Sequence, residues 1–294
     1  MHPEGFADLW EHVRLLSDDG RTDALVRLLE RHAPGRRVLE VGCGTGLLSC
    51  VAAALGAREV VAVEPTWQAD LARQLVHAAG LGDRVEVVEA AIEDLSPRPM
   101  DLVFSELLNA DPFAEGVVEV SRAARAWLAD GGLLAPSHLR LWAAAVRADD
   151  SHVEAARAAR RVLALEDRLG VSLGPLIAAL RGLEPYASIH PSVSPAGRAV
   201  QVLDLPLGTD AEPPDGPVPV VLPVWGEQPV AGITVFFEAP LDDGLVLHNR
   251  PGGDGHWGHL VVGWPRPVRP VDGGVRVVLD LSDGELDARP EASP

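Results

Sequence analysis

Runs of apolar residues alternate with amphipathic helical patterns over the first half of the chain. The four runs are Val38–Val41, Val60–Val63, Val85–Val88 and Met100–Phe104, and helical spacing follows the first two at residues 47–55 and 71–78. Strands that alternate with helices at this rhythm predict a parallel sheet with helices on both faces. We therefore expect an α/β domain over residues 1–137.

Two helical patterns precede the first run. The first covers residues 5–16, and the second is predicted from about Arg21 to His32. Helices in this position cover a ligand site or only the edge of the sheet, and the pattern leaves both interpretations open.

The pattern changes from His138 onward. Residues 139–146 predict a strand, residues 151–167 and 169–183 predict helices, and short alternating runs follow at 200–205, 218–224, 233–238, 260–263 and 275–281. Short runs between breaks rich in Pro and Gly predict an antiparallel β-barrel or sandwich over residues 138–294. We expect the acidic tail after Ser282 to fray.

The turn after the first run carries the first candidate chemistry. Gly42, Gly44 and Gly46 lie between a strand and a helix N-terminus, where a ligand can lie against bare backbone. Glu64 ends the second run and is placed to accept hydrogen bonds from ribose hydroxyls. A glycine triplet alone is a weak signal that suits any nucleotide-binding turn.

Candidate residues follow all four predicted strands of the first half. In chain order they are Gly42, Glu64, Glu93 and Glu106. Because the carboxyl ends of parallel strands meet at one edge of a sheet, we expect these residues to build a single site.

Composition narrows the classes of partner. The chain has 294 residues and a net charge of −18 at pH 7, which disfavours nucleic acid and suits a cationic substrate. All 25 positions that are lysine or arginine are arginine, which is typical of a GC-rich bacterial genome and excludes lysine chemistry. Cys43 and Cys50 are expected to pack rather than to form a disulfide. No apolar run reaches about 18 residues and no signal peptide is visible, so we expect a cytoplasmic protein that does not contact a membrane. We also expect no metal site.

The motif Val-Leu-Glu-Val-Gly-Cys-Gly-Thr-Gly at residues 38–46 differs from the dinucleotide fingerprint. It resembles the first motif of the class I S-adenosylmethionine-dependent methyltransferases, which implies a Rossmann-like domain. The resemblance places Glu40 beside the methionine part of the cofactor, Glu64 on its ribose, and Ile92 and Glu93 on its adenine. An NAD-type turn or a purely structural turn is the alternative.

The loop after the fourth run opens with Ser105-Glu106 and closes with Glu115, nine positions later. It resembles the double-E loop of the protein arginine N-methyltransferases, although its interior is more similar to the divergent type III members. Residues 12–22 resemble the family motif His-x-x-Met-Leu-x-Asp-x-x-Arg-Thr. Residues 255–257, Gly-His-Trp, resemble its Thr-His-Trp loop. The chain is thus identified as a divergent, bacterial member of this family.

The resemblance assigns further roles. His12 belongs to the cofactor site and Arg21 holds the cofactor carboxylate. Phe6, which replaces a tyrosine of the family, and Trp257 are expected to contact the substrate. Asp18 and His256 are expected to belong to the catalytic network. Residues 150–185 match the arm through which the family dimerises, so a homodimer is expected; an inserted helix on a barrel is the alternative.

The expected reaction explains the two glutamates. A guanidinium and a sulfonium about 4 Å apart repel by about 4 kcal/mol at an effective dielectric constant of 20. Glu106 and Glu115 can offset this repulsion and hold the planar guanidinium in fork geometry. Glu115, or His256 with Asp18, can then take the proton that the nitrogen loses.

Three hypotheses follow. The first is S-adenosylmethionine-dependent methylation of a guanidino nitrogen in a peptide, a protein or free arginine. The second keeps the fold and cofactor but methylates an amine, such as a peptide N-terminus or a small molecule, in a natural-product pathway. The third is a non-catalytic cofactor-binding partner, which the intact glycines and glutamates disfavour. The sequence leaves the substrate and the number of methyl groups open.

Overall fold

The computed structural model describes residues 14–147, 160–165, 168, 170, 172, 187–190, 192–253, 255–281 and 286–291. Within these residues the strands form three sheets. Phe6, His12 and most of the predicted helix at 5–16 lie outside the described residues. So does most of the predicted arm at 150–185, of which residues 160–165 are helical.

The first sheet is parallel, as the alternating pattern predicts. Its strand order is β3-β2-β1-β4-β5. The strands are β1 (Arg37–Val41), β2 (Glu59–Val63), β3 (Val85–Val88), β4 (Met100–Ser105) and β5 (Leu128–Ala135). The helices are α1 (Asp19–His32), α2 (Leu47–Ala54), α3 (Gln68–Ala78) and α4 (Val117–Arg125), with a 3₁₀ turn at Ile92–Asp94.

The strand order reverses between β1 and β4, and this reversal determines where a ligand can bind. Strands β1, β2 and β4 are almost entirely buried, which explains why their residues are mostly apolar. After β1 the chain continues to β2 on one side, and after β4 it continues to β5 on the other side. A crevice therefore opens outside the carboxyl ends of β1 and β4. Gly42 follows β1 and Glu106 follows β4, so both lie at this crevice.

The second half is antiparallel, as predicted, and forms two sheets. The larger sheet has the order β7-β12-β10-β6-β8 with β11 paired to β10, and the smaller has the order β14-β13-β9. The strands are β6 (His138–Arg147), β7 (Ala187–His190), β8 (Val200–Pro206), β9 (Val218–Pro223), β10 (Val230–Asp242), β11 (Leu245–His248), β12 (His259–Val268), β13 (Gly274–Asp280) and β14 (Asp287–Pro290).

The prediction that the tail frays after Ser282 was wrong for residues 287–290. These residues form β14, which pairs with β13. Ala288 is buried, and its carbonyl accepts a hydrogen bond of 2.9 Å from the indole of Trp264. The prediction failed because the tail is acidic, whereas its pairing with β13 depends on its backbone groups and on the buried side chain of Ala288.

Helix α1 joins the two halves. Its buried residues Leu25, Leu28 and Leu29 belong to a hydrophobic cluster that also contains side chains of β6, β10 and β12. At its C-terminus His32 lies 2.9 Å from the carboxylate of Asp242, at the end of β10. The helix therefore carries its N-terminus to a fixed place beside the second half. The domain division at residues 137 and 138 stays a prediction, and no helix of the described part is long and apolar enough to span a membrane.

Candidate active site

A cavity of about 1000 Å³ opens at the carboxyl ends of β1 and β4. Ligand sites in proteins commonly have this volume. Nine of the residues predicted from the sequence line it, namely Arg21, Glu40, Gly42, Gly44, Glu64, Glu106, Glu115, His256 and Trp257. The fold therefore gathers residues from both halves of the chain around one space.

The glycine turn is tied to the end of β2. The backbone N–H groups of Gly42 and Cys43 donate to the carbonyl of Val63 at 2.8 and 3.0 Å. Gly42 has a φ of +73°, and a Cβ at this position would lie 2.7 Å from a methyl carbon of Leu107. Glycine thus permits both the left-handed turn and the approach of the loop after β4.

The Glu64 carboxylate is held by its neighbours. Gly44 donates its backbone N–H to Oε2 at 2.9 Å. Thr66 donates its backbone N–H and its hydroxyl to Oε1 at 3.1 and 2.6 Å. The side chain is therefore fixed in direction at the wall of the cavity.

Glu40 is buried in β1 and accepts a hydrogen bond from the hydroxyl of Ser49 on α2. Burial raises the pKa of Glu40 to about 8, although Ser49 and the Arg21 guanidinium counteract the rise. The cavity wall next to the glycine turn thus contains a carboxyl group that is largely protonated at neutral pH.

Arg21 and Glu106 form a buried ion pair. The Arg21 Nε atom donates to Oε2 of Glu106 at 2.6 Å, and Nη2 donates to the same oxygen. Within the described part of the chain, Oε1 of Glu106 is buried without a hydrogen-bond partner. Burial raises the pKa of Glu106, while Arg21 and the nearby indole of Trp257 counteract the rise. The indole N–H of Trp257 is also buried without a partner in the described part of the chain, so Oε1 of Glu106 can accept a hydrogen bond from this indole or from a ligand.

Glu115 is the second carboxylate of the loop and faces the same cavity. Burial and the charge of Glu106 raise its pKa to about 8, whereas a hydrogen bond from Asn109 and the charge of Arg21 lower it. Burial and mutual repulsion therefore disfavour the doubly ionised pair, and a bound cation would favour ionisation of both glutamates.

Asp18 connects the first helix to the loop before β12. Its Oδ1 atom caps α1 by accepting the backbone N–H of Arg21 at 3.0 Å. Its Oδ2 atom accepts the backbone N–H of His256 at 3.0 Å and lies 2.9 Å from the ring Nδ1. Burial raises the pKa of Asp18, but these hydrogen bonds outweigh it and hold the pKa below its usual value.

Asn249 and Phe237 contact the loop that carries His256 and Trp257. The Asn249 side chain accepts from the backbone of Phe237 at 2.7 Å and donates to the carbonyl of Gly258 at 2.9 Å. The ring of Trp257 packs edge-on against Phe237, with centroids 5.1 Å apart. These contacts hold the loop in place beside the cavity.

Four predicted residues in the described part of the chain do not line the cavity. They are Asp18, which is hydrogen-bonded to the lining residue His256, and Gly46, Ile92 and Glu93. Gly46 has a φ of +76°, and a Cβ there would lie 2.9 Å from the Cβ of Ala72, so this glycine permits close packing of α2 and α3. Ile92 is buried in the 3₁₀ turn, and Glu93 is exposed beside it. Their assignment to adenine stays a prediction.

The structure adds residues that the sequence reading missed. Ser49 holds Glu40, Thr66 holds Glu64, and Asn109 contacts Glu115. The contact of Thr66 with Glu64 could have been predicted, since a hydroxyl two residues from a carboxylate often donates a hydrogen bond to it. Ser49 and Asn109 had no comparable local signal.

Comparisons with known proteins agree with this architecture. Residues 38–132 match the family model described as a methyltransferase domain. The chain is 30% identical to the arginine N(omega)-methyltransferase of Streptomyces achromogenes subsp. streptozoticus over 294 residues, which covers 95% of this chain and 77% of that one.

Plant relatives match a shorter region. Protein arginine N-methyltransferase PRMT10 of Arabidopsis thaliana is 38% identical over 149 residues, which is 49% of this chain and 39% of the relative. The chain thus spans about two fifths of the length of the plant relatives that it matches. The crystal structure of the Arabidopsis protein superposes with a TM-score of 0.77 at 24% identity and covers 98% of each chain, which shows a common fold.

Proposed function

The chain belongs to the arginine N-methyltransferase family, and on this premise we propose that it transfers a methyl group from S-adenosylmethionine to a guanidino nitrogen of arginine. The observation that carries the proposal is the pair of Glu106 and Glu115. Both line a cavity that also contains the glycine turn, and Oε1 of Glu106 lacks a partner among the described residues.

The cavity wall fits the proposed cofactor. Glu64 is oriented to accept hydrogen bonds from ribose hydroxyls, and the glycine turn leaves room for a ligand against the backbone. Glu40 would lie beside the methionine part, and Arg21 offers a guanidinium for its carboxylate. When bound, S-adenosylmethionine supplies an electrophilic methyl group on a sulfonium.

Glu106 and Glu115 would bind and orient the substrate. A guanidinium matches carboxylate oxygens in fork geometry, and Glu106 already holds the guanidinium of Arg21 through Nε and Nη2. Its second oxygen and the Glu115 carboxylate would hold the substrate group and neutralise its charge beside the sulfonium. This arrangement presents one nitrogen to the methyl group and lowers the repulsion between two cations.

The nitrogen must lose a proton as its bond to the methyl carbon forms. Glu115 is suited to accept it, because its pKa of about 8 is close to neutral pH. His256 is the other candidate. Burial lowers its pKa, and the Asp18 carboxylate requires the ring proton on Nδ1, which leaves Nε2 as an acceptor.

The substrate is arginine in a peptide, in a protein or as the free amino acid. The name of the Streptomyces relative specifies arginine, and that relative matches 95% of the chain, so free arginine is the first substrate to test. The plant names specify protein arginine. We further infer a homodimer from the resemblance of residues 150–185 to the dimerisation arm, which light scattering would test.

The test is methyl transfer from labelled S-adenosylmethionine to free arginine, arginine-rich peptides and peptides without arginine, with the product mapped by fragmentation. Label on a guanidino nitrogen that Glu106→Gln abolishes would support the proposal. Glu119→Gln is the matched control, because Glu119 is exposed on α4 just beyond the loop. Label on an α-amine would instead favour an amine methyltransferase. Absence of transfer to every acceptor, with cofactor binding intact, would favour the non-catalytic partner.

A further inference from the structure

Asn109 lies inside the loop between the two glutamates, where the family resemblance assigns no role. Its Oδ1 atom accepts the backbone N–H of Ala110 at 2.7 Å. Its Nδ2 atom donates to Oε1 of Glu115 at 3.2 Å, and the residue lines the cavity. One side chain thus connects the backbone of the loop to the carboxylate that ends it.

The two contacts determine the orientation of the amide. Only the side-chain oxygen can accept the N–H of Ala110, so the amino group must point toward Glu115. The reverse orientation would place a carbonyl oxygen against a carboxylate oxygen. The amide therefore presents a donor to Glu115 and occupies one acceptor direction of Oε1.

We propose that Asn109 is a positioning residue that holds Glu115 in the orientation in which it binds the substrate guanidinium. This inference rests on the proposed function, since it concerns the same carboxylate. With Oε1 held by Asn109, the carboxylate cannot rotate freely, and its remaining acceptor directions face the cavity.

The charges around Glu115 support the proposal. The Glu106 carboxylate at the end of β4 and burial both raise the pKa of Glu115, whereas the Asn109 donor and the Arg21 guanidinium from α1 lower it. Loss of the donor should raise the pKa further. Because the ionised carboxylate binds the cation, the variant would require a higher pH to reach full activity.

Two substitutions separate this role from a purely structural one. Asn109→Asp keeps an oxygen that accepts from Ala110 but replaces the donor to Glu115 with an anion. Asn109→Ala removes both contacts. Because the new anion raises the pKa of Glu115 whatever the role of Asn109, the variants are compared at high pH, where Glu115 is ionised in each. If Asn109 only anchored the loop, Asn109→Asp would reach the wild-type rate there and Asn109→Ala would not.

The measurement is kcat/KM for the guanidino substrate from about pH 6 to pH 10, where groups of this pKa titrate. We expect the acidic limb to move to higher pH in both variants, and further in Asn109→Asp. At pH 7 we expect about a tenfold loss, typical of a lost hydrogen bond to a charged group, and part of this loss should persist at high pH because Glu115 is no longer held in orientation. Glu119→Gln should leave the limb where the wild type has it.

A high-pH value of kcat/KM in Asn109→Asp that equals that of the wild type would overturn the inference. Wild-type transfer to the guanidino nitrogen, measured in the same assay, tests the proposed function separately. If the wild type proves inactive, the ¹³C carboxyl shift of Glu115 followed against pH decides the matter without turnover. A titration that moves upward in Asn109→Ala, which removes the donor without adding a charge, supports the inference, and an unchanged titration overturns it.

Discussion

The ring Nδ1 atom of His256 lies 2.9 Å from Oδ2 of Asp18, a residue 238 positions earlier in the chain. The same oxygen accepts the backbone N–H of His256, while the other oxygen of Asp18 caps α1. A single carboxylate therefore fixes the start of a helix, the position of a loop and the tautomer of the histidine ring.

Asp18→Asn should reduce methyl transfer without unfolding the helix. Asparagine is as good an N-cap as aspartate, so α1 should keep its start. The amide cannot accept both His256 contacts as the carboxylate does, so we expect kcat/KM to fall about 10- to 100-fold, as for one hydrogen bond to a charged group. Thermal unfolding and initial rates would be measured together. Asp19→Asn is the control, and equal rates for both variants would contradict the role of Asp18.

Glu40→Gln should change the pH dependence of stability. The pKa of Glu40 is raised to about 8 in the folded protein from an ordinary value of 4.5, so the folded state retains a proton that the unfolded state releases. Its stabilising contribution is complete below pH 4.5 and is lost as pH rises toward 8. Glutamine mimics the protonated form and can still accept from Ser49.

The unfolding temperature of the cofactor-free protein, measured between about pH 5 and pH 8, tests this prediction. The difference between Glu40→Gln and the wild type should grow in favour of the variant as pH rises. Glu59→Gln, at the opposite end of the sheet in the partly exposed start of β2, is the control. A difference that stays constant over this range would show that Glu40 does not retain its proton.

Glu64→Gln should weaken cofactor binding. The substitution removes the charge that would accept ribose hydroxyls and disturbs the contacts from Gly44 and Thr66. We expect the Kd for S-adenosylhomocysteine to rise about tenfold, which corresponds to about 1.4 kcal/mol. Titration calorimetry would measure it, with Glu89→Gln as an exposed control. An unchanged Kd would exclude Glu64 from the ribose site.

Gly46→Ala should destabilise the fold more than Gly35→Ala. Both glycines have a φ above +70°, so an alanine at either position costs about 1–2 kcal/mol of backbone strain. At Gly35 a Cβ meets nothing within 4 Å, whereas at Gly46 it lies 2.9 Å from the Cβ and 3.2 Å from the Cα of Ala72. The added overpacking should cost a further 1–3 kcal/mol, about the typical range. Urea unfolding of the two variants gives the difference, and equal midpoints would contradict it.

Much of the fold could be predicted from the sequence, because local patterns of apolar residues and glycines determine it. The mostly apolar sequences of β1, β2 and β4 reflect strands that are buried on both faces, and their alternation with helical patterns indicated a parallel sheet. The turn glycines marked the start of α2, and strand ends predicted that Glu64 and Glu106 would lie at one edge. In contrast, β14 was missed, because only pairing with β13 makes a strand of an acidic tail.

The sequence by itself determined that a site lies at the carboxyl ends of the parallel strands, and it identified nine of the residues that line the cavity. Only the tertiary structure decided how these residues are paired. Arg21 contacts Glu106, Asp18 contacts His256, and Asn109 contacts Glu115. The first two pairs join segments far apart in the chain, and the third depends on the path of an irregular loop. Neither kind of contact leaves a periodic signal, since each arises from the packing of α1 and the loops around one cavity.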